Sequence, residues 1–280
     1  SGYYEDFAAV DALPKGWTAG FFHNGTYSSF RGRDHGSPIP SEVPTSRLVT
    51  FSQDHDQIGN RAAGDRLTGS LSADRLAVAA VLTLTAPGTP MLFMGEEWGA
   101  STPWAFFTSH PEPELGEATA NGRVEEFARM GWDPAEVLDP QDPQTFHRSR
   151  LAWDEAGEGD HARLLALYRR LARLRREYPD LTSPHVADLG ATLVRDDAPG
   201  ARAWELRRGA LRILVNLTDE AWDAPAAAGD AVVLSTSSAV AVTAGAVRVP
   251  SDSAVIVAPD PHAWARRAAP GDGCRSDGDA

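Results

Sequence analysis

The sequence predicts an α/β unit followed by a small all-β sandwich. Two short apolar runs flank an amphipathic helix between residues 47 and 94, which is the pattern of a β-α-β unit. From about residue 185 onward, short β-branched runs alternate with turn residues, which is typical of a sandwich. At roughly 150 residues per domain, the 280 residues correspond to about two domains.

Composition narrows the class of protein. The chain has 26 Lys and Arg against 39 Asp and Glu, a net charge of −13, which argues against nucleic acid and anionic membranes as partners. Its hydrophobic share of 42% is ordinary for a globular protein, and no run of about 18 apolar residues could span a bilayer. The single Cys274 cannot form an internal disulfide, and the first residues lack the pattern of a signal peptide, so we expect a cytoplasmic location.

The α/β unit is predicted from the order of its segments. Residues 1–46 are rich in Gly, Pro, Ser and aromatic side chains and are expected to be mainly loop, with a short helix near residues 3–13. Residues 47–51 and 91–94 are predicted strands, and Ser72 is the expected N-cap of the helix between them. Because both strands are apolar throughout, we expect a parallel sheet covered on both faces, with function at the C-terminal ends of its strands.

The second half begins with an irregular, aromatic stretch over residues 100–158 and a helix from about Asp160. Basic residues crowd the later part of this helix, and they indicate either a solvated face or a ligand-binding face. Six strands are then predicted, and residues 261–280 are an expected disordered tail. The strands are residues 191–194, 201–206, 211–216, 231–234, 240–247 and 254–257.

Familiar cofactor motifs are missing from the sequence. It contains no phosphate-binding loop of the form G-x-x-x-x-G-K-S/T, no G-x-G-x-x-G after a strand, no H-E-x-x-H and no pair of C-x-x-C motifs. Nucleotide binding and structural zinc therefore have no support, and we expect neither cofactor nor metal.

One dense polar cluster, Asp54-His55-Asp56, follows the first predicted strand. Carboxylates and imidazole can ligate a metal, although no second histidine has suitable spacing. The same side chains can stitch a loop together by hydrogen bonds. They can also hold the hydroxyls of a sugar ring whose transition state develops positive charge.

The surrounding residues favour the sugar site. Residues 51–56 (FSQDHD) resemble the fourth conserved region of the alpha-amylase family of glycoside hydrolases, at the end of the seventh barrel strand. The longer run 53–67 (QDHDQIGNRAAGDRL) resembles one branch of that family, the malto-oligosyltrehalose trehalohydrolases. Residues 87–103, 106–110 and 139–146 resemble the same branch, and the similarity extends over about residues 1–260.

This resemblance implies a fold and a site. Residues 1–180 would be the last strands and helices of a (β/α)8 TIM barrel, and residues 185–260 the C-terminal β-sandwich. By position, Asp56 matches the family's transition-state stabilising carboxylate, and His55 matches the imidazole that hydrogen-bonds the same sugar. The implied substrate-binding residues are His55, Asp56, Gln57, Ile58, Gly59 and Asn60. The residue before the histidine is usually Asn in the family, and here it is Asp54.

The implied activity is retaining hydrolysis of the α-1,4-glucosidic bond next to the trehalose end of maltooligosyl trehalose, which releases trehalose. Such an enzyme needs a nucleophilic carboxylate and an acid/base carboxyl group about 5 Å apart. In this family both lie upstream of the segment that residues 3–7 resemble, and neither has a match here. We therefore expect this chain to be the C-terminal portion of the enzyme and to be inactive alone.

Several side chains near the cluster have two interpretations. The resemblance gives Glu96 and Glu97 a structural or loop role. Trp98, Trp104, Phe106 and Phe107 could stack on glucose rings or anchor their loop.

Two other functions stay open. The parent could be another alpha-amylase-family enzyme that acts on α-glucans, such as a branching enzyme or an amylase, or the chain could be a non-catalytic glucan-binding fragment. In each case the expected partner is maltooligosyl trehalose or a related α-glucan.

Overall fold

The computed structural model describes residues 2–129 and 137–259. Cys274 and the expected tail at residues 261–280 lie outside the described residues. The six helices are α1 (Ala12–Ala19), α2 (His55–Gly59), α3 (Ala73–Thr85), α4 (Pro113–Arg129), α5 (Pro143–Arg148) and α6 (Gly159–Glu177) in this part of the chain. Its strands are β1 (Thr26–Ser28), β2 (Arg33–His35), β3 (Val49–Thr50), β4 (Thr89–Pro90), β5 (Leu189–Ala198), β6 (Ala201–Arg208), β7 (Leu211–Asn216), β8 (Trp222–Pro225), β9 (Asp230–Ser235), β10 (Ala241–Thr243), β11 (Ala246–Val249) and β12 (Ser253–Pro259).

The chain forms two compact units. Residues Pro38–Glu177 form the first, which we call the βαβ unit. Residues Ser1–Ser37 and Tyr178–Ala280 form the second, which we call the β-rich unit. Residues 1–37 thus group with the C-terminal part of the chain, although the family resemblance assigns residues 1–180 to the barrel.

The βαβ unit is built on a parallel pair of strands. Val49 of β3 lies opposite Thr89 of β4, and Thr50 lies opposite Pro90, with α3 as the crossover between them. The predicted strand positions are wrong in extent, because residues 91–94 are irregular and only two residues of 47–51 are strand. Ladder hydrogen bonds run from the Thr89 amide to Leu48 and from the Met91 amide to Thr50, and no further strand pairs with either one in the described part of the chain.

The two strand segments leave apolar side chains in water. Val49 is 57% exposed, Met91 39%, Leu92 40% and Met94 44%. The expectation of a sheet covered on both faces is therefore wrong for the described residues. Apolar clusters of this kind mark surfaces that pack against another element.

The helices α3 and α6 supply the core of this unit. Ser72 caps α3 as predicted, with its hydroxyl accepting from the Arg75 amide at 3.2 Å. Buried residues of α3, including Ala80 and Val81, belong to the same core as Leu171 and Leu174 of α6. The guanidinium of Arg175 donates to the Leu84 carbonyl at 2.7 Å and so satisfies a carbonyl at the end of α3.

Helix α4 was not predicted from the sequence. It spans part of the region that we expected to be irregular, and besides Gly116 and Gly122 it contains only three large apolar residues, Leu115, Val124 and Phe127. Phe127 is its one large apolar side chain that is fully buried in the described part of the helix. An apolar period is too weak here to reveal the helix.

The C-terminal part of the β-rich unit contains two antiparallel sheets. One has the strand order β5-β6-β7-β12-β9, and the other has the order β10-β11-β8. Their shared core contains Leu214, Ala224, Val247, Val249, Val255 and Val257. Residues 240–247 were predicted as one strand, but a turn at Gly245, with φ of 94°, divides them into β10 and β11.

Asn216, at the end of β7, is fully buried and closes one end of the core. Its Nδ2 donates to the carbonyls of Glu220, Val249 and Pro250 at 2.8, 3.2 and 3.0 Å. Its Oδ1 accepts from the amide and the hydroxyl of Thr218 at 3.0 and 2.7 Å. One side chain therefore joins β7, the turn after it and the end of β11.

The first 37 residues contribute α1 and the β1–β2 hairpin to the β-rich unit. Trp17 of α1 is buried, and its indole N–H donates to the Arg207 carbonyl of β6 at 3.1 Å. The sequence suggested a helix near residues 3–13, whereas the structure has a 3₁₀ turn at Gly2–Ala8 followed by α1.

Candidate functional site

The loop after β3 carries the polar cluster that the sequence singled out. Asp54 is the N-cap of α2, and its Oδ1 accepts from the Gln57 amide at 2.8 Å. Asp and Asn are nearly equivalent at an N-cap, so the carboxylate at position 54 keeps the capping capacity of an amide. The loop thus starts at the C-terminal end of a parallel strand and is fixed there by its own first residue.

His55 and Asp56 both point toward solvent. Their side chains are 65% and 72% exposed, and His55 Nε2 lies 3.1 Å from Asp56 Oδ1. Gln57 and Asn60 are exposed as well, so four polar side chains of one turn are accessible to a ligand.

The other two residues of the expected substrate strip lie inside. Ile58 is only 2% exposed, and Gly59 is also buried. In this structure they pack inside the βαβ unit and do not reach solvent.

Trp104 packs against the inner side of α2. A Cβ on Gly59 would lie 2.7 Å from the Trp104 ring, and the His55 and Trp104 rings are 6.4 Å apart at an interplanar angle of 75°. Phe93 and Phe107 contact the same indole, with centroids at 5.4 and 5.9 Å. The loop therefore packs on an aromatic cluster. The absence of a side chain at Gly59 allows the Trp104 ring to lie this close to α2.

Replacing Gly59 with alanine should lower the free energy of unfolding by about 1–3 kcal/mol, because the new methyl group collides with the Trp104 ring. Urea unfolding followed by tryptophan fluorescence measures this loss. Gly69→Ala is the matched control, since no heavy atom lies within 4 Å of a Cβ at that position. Equal losses in the two variants would contradict the packing role of Gly59.

Arg123 of α4 forms hydrogen bonds with the C-terminal end of α2. Its guanidinium donates to the Gly59 carbonyl at 2.6 Å and to Asn60 Oδ1 at 3.0 Å. The same group lies 4.5 Å from the Phe106 ring centroid and 4.9 Å from that of Phe127. Burial lowers the pKa of Arg123 from its usual value. Arg123 was not predicted as a site residue because α4 itself was not predicted.

Glu96 secures the other end of the loop from the 3₁₀ turn after β4. Its Oε1 accepts from the hydroxyls of Ser52 and Tyr168 at 2.8 and 2.9 Å, and its Oε2 accepts from the Phe93 amide at 3.1 Å. Burial raises the pKa of Glu96, although these hydrogen bonds oppose the shift. Burial next to Glu96 likewise raises the pKa of Tyr168. The structural role expected for Glu96 agrees with these contacts.

A pH dependence follows from the raised pKa of Glu96. The folded state favours protonated Glu96, so its contribution to stability is present below the usual pKa of 4.5 and is lost as the pH rises through the folded pKa. We expect the stability of the wild type relative to Glu96→Gln to decrease as the pH rises above the usual pKa of 4.5. Thermal unfolding of both proteins at a series of pH values measures the difference. A constant difference would contradict the assignment.

The aromatic residues predicted to stack or anchor take different positions. Trp98 is 2% exposed, and its indole N–H donates to Glu155 Oε1 at 3.0 Å, so it anchors its loop. Trp104, Phe106 and Phe107 are partly accessible.

Among residues 2–129 and 137–259 no group of three or more His, Cys, Asp or Glu side chains is placed to hold a metal ion. In the same residues no helix has the length and apolar character needed to cross a bilayer.

Comparison with known proteins identifies relatives for most of the chain. It is 60% identical over 232 residues to a malto-oligosyltrehalose trehalohydrolase of Brevibacterium helvolum, covering 82% of this chain and 38% of that protein. It is 56% identical over 260 residues to one of Rhizobium sp. (strain M-11), covering 92% of this chain and 42% of that protein. The chain belongs to the malto-oligosyltrehalose trehalohydrolase family. It spans about 40% of the length of the curated relatives it matches.

Two further matches concern the fold of this trehalohydrolase-family chain. Residues 187–257 match a domain of unknown function, DUF3459. A crystal structure from Salmonella typhimurium, provisionally described as an alpha amylase, matches 92% of this chain and 43% of its own chain, at 31% identity and a TM-score of 0.76. The described structure is thus α/β and similar to that of an alpha-amylase-like protein.

Proposed function

We propose that this chain is the C-terminal portion of a retaining glycoside hydrolase that releases trehalose from maltooligosyl trehalose, in the synthesis of trehalose from α-glucan. The observation that carries the proposal is the turn from Asp54 to Asn60, which presents His55 and Asp56 to solvent at the C-terminal end of a parallel strand. Catalytic residues of (β/α)8 enzymes lie at that end of their strands. Relatives at 50–60% identity named as trehalohydrolases support the same assignment.

In this proposal the two exposed side chains act on one sugar ring. The Asp56 carboxylate accepts hydrogen bonds from ring hydroxyls and favours the positive charge of the oxocarbenium-like transition state. His55, 3.1 Å away, hydrogen-bonds the same sugar. Gln57 and Asn60 are placed for further polar contacts, while Ile58 and Gly59 act through packing.

The nucleophile and the acid/base are proposed to lie in a longer protein, outside this chain. The segment β3–α3–β4 would then be the last β-α-β unit of a barrel, and the β-rich unit would include the C-terminal sandwich. The exposed Val49, Met91, Leu92 and Met94 support this proposal, because barrel strands bury such residues against their neighbours. A cytoplasmic location stays a prediction.

The direct test compares this chain with the full-length protein. We expect the full-length protein to release trehalose from maltooligosyl trehalose and the purified 280-residue chain to release none, because the nucleophile and the acid/base are proposed to lie outside this chain. Trehalose release by the chain alone would overturn this proposal. Plain maltodextrin is the control substrate, since an amylase or a branching enzyme would use it as well as maltooligosyl trehalose.

A further inference from the structure

The β-rich unit contains a cavity that the proposed function does not use. It has a volume of about 430 Å³ and lies between the first residues of the chain and the β1–β2 hairpin. Its lining includes Phe7, Phe21, Phe22, His23, Arg31 and His35. Sites for small molecules have volumes of roughly 300–1,000 Å³, so the cavity is large enough for one hexose-sized ligand.

Aromatic rings form one wall of the cavity. The Phe7 and Phe22 centroids are 5.4 Å apart, and both rings contact His23, with centroids at 5.7 and 5.0 Å. Phe21 is 52% exposed and Phe7 40%, so the wall is open to solvent. An accessible aromatic wall offers a surface on which a ring can stack.

Arg31 is the one arginine that lines the cavity, and it lies there with the imidazoles of His23 and His35. In the described part of the chain Arg31 has no carboxylate partner, whereas the Asp6 carboxylate lies 3.3 Å from His23 Nε2. His23 Nδ1 is buried and has no hydrogen-bond partner among the described residues. Burial and the nearby Arg31, His23 and Arg33 lower the pKa of His35. A bound anion would relieve this repulsion.

The hairpin holds these groups in a fixed arrangement. Thr26 pairs with His35 and Ser28 with Arg33, which places Arg33 and His35 on the same face of β2. Gly36, with φ of 75°, follows directly, and a Cβ there would collide with the His23 carbonyl. The close approach of these two backbone segments keeps His23 and His35 together, with ring centroids 6.2 Å apart.

We propose that this cavity binds a phosphorylated, sugar-sized molecule. Its phosphate would accept hydrogen bonds from Arg31 and from the imidazole of His35, and its ring would stack on Phe7 and Phe22. A guanidinium and an imidazole suit an anion with several acceptor oxygens. A neutral sugar would leave the charge of Arg31 unmatched, and inorganic phosphate would leave the aromatic wall in water.

The test is calorimetric titration of the 280-residue chain with glucose 6-phosphate, glucose and inorganic phosphate. We expect glucose 6-phosphate to bind at least about tenfold more tightly than either of the other two. Arg31→Gln should weaken its binding about tenfold or more, whereas Arg169→Gln, which removes an exposed arginine on α6, should leave it unchanged. Because Arg31 is exposed, both variants should keep the circular dichroism spectrum of the wild type.

A second readout follows the ligand directly. In NMR titrations, saturating glucose 6-phosphate should raise the pKa of His35, since a nearby anion favours the protonated imidazole. No heat of binding at about 10 mM glucose 6-phosphate, equal affinity for glucose, or equal losses in the two arginine variants would each overturn the proposal. None of these measurements depends on glycoside hydrolysis, so they stand whether or not the proposed function is correct.

Discussion

Replacing Asp56 with asparagine in the full-length protein is expected to reduce kcat for trehalose release by about 10³-fold. The amide keeps the size of the side chain but removes the negative charge that the oxocarbenium-like transition state requires. Stability should change by less than about 0.5 kcal/mol, because the Asp56 side chain is 72% exposed. Initial rates with maltooligosyl trehalose, together with a thermal unfolding curve, separate the two effects.

Asp54→Asn is the matched control for this experiment. It removes an adjacent carboxylate by the same chemical change, yet asparagine caps a helix as well as aspartate does. We expect Asp54→Asn to keep α2 capped and to retain most of the activity. The assignment of Asp56 fails if Asp56→Asn keeps more than about a tenth of the wild-type rate, or if both variants lose activity equally.

Asn216→Asp should destabilise the β-rich unit by about 3 kcal/mol or more. The substitution puts a carboxylate oxygen where the Asn216 amide now donates to three backbone carbonyls, so acceptors face acceptors in a fully buried position. Urea unfolding followed by far-ultraviolet circular dichroism measures the change.

The neighbouring Asp219→Ala tests whether any change in that turn has the same effect. Asp219 is exposed, so this variant should remain within about 0.5 kcal/mol of the wild type. Similar unfolding midpoints for Asn216→Asp and the wild type would show that the Asn216 network contributes little to stability.

The sequence predicted those helices and strands that have strong local signals. The α3 helix has an N-cap serine, an apolar period and a terminal Pro-Gly, and the structure places it at Ala73–Thr85. The short parallel strands were predicted in the correct region but with the wrong bounds, because strand extent depends on pairing with a neighbour. Helix α4 was not predicted because it has few large apolar residues and therefore no clear apolar period.

In the candidate site, too, some residues could be predicted from the sequence and others could not. The exposed groups, His55 and Asp56, were predicted from their residue types and from the family motif around them. The supporting contacts of Trp104 and Arg123 were not, because each joins residues about 40 to 65 positions apart, and a single sequence carries no pairing signal at such separations. The capping role of Asp54 was not predicted either, although it involves only the four consecutive residues 54–57.

The two hydrogen bonds of Arg123 have a consequence for cooperativity. They connect the turn that carries His55 and Asp56 to a helix of low intrinsic hydrophobicity, so the order of one depends on the order of the other. A sugar that immobilises residues 55–60 should slow amide hydrogen exchange in α4 as well, although α4 begins more than 50 residues later in the chain. The affinity for the sugar and the stability of α4 would then both report on the same local folding equilibrium.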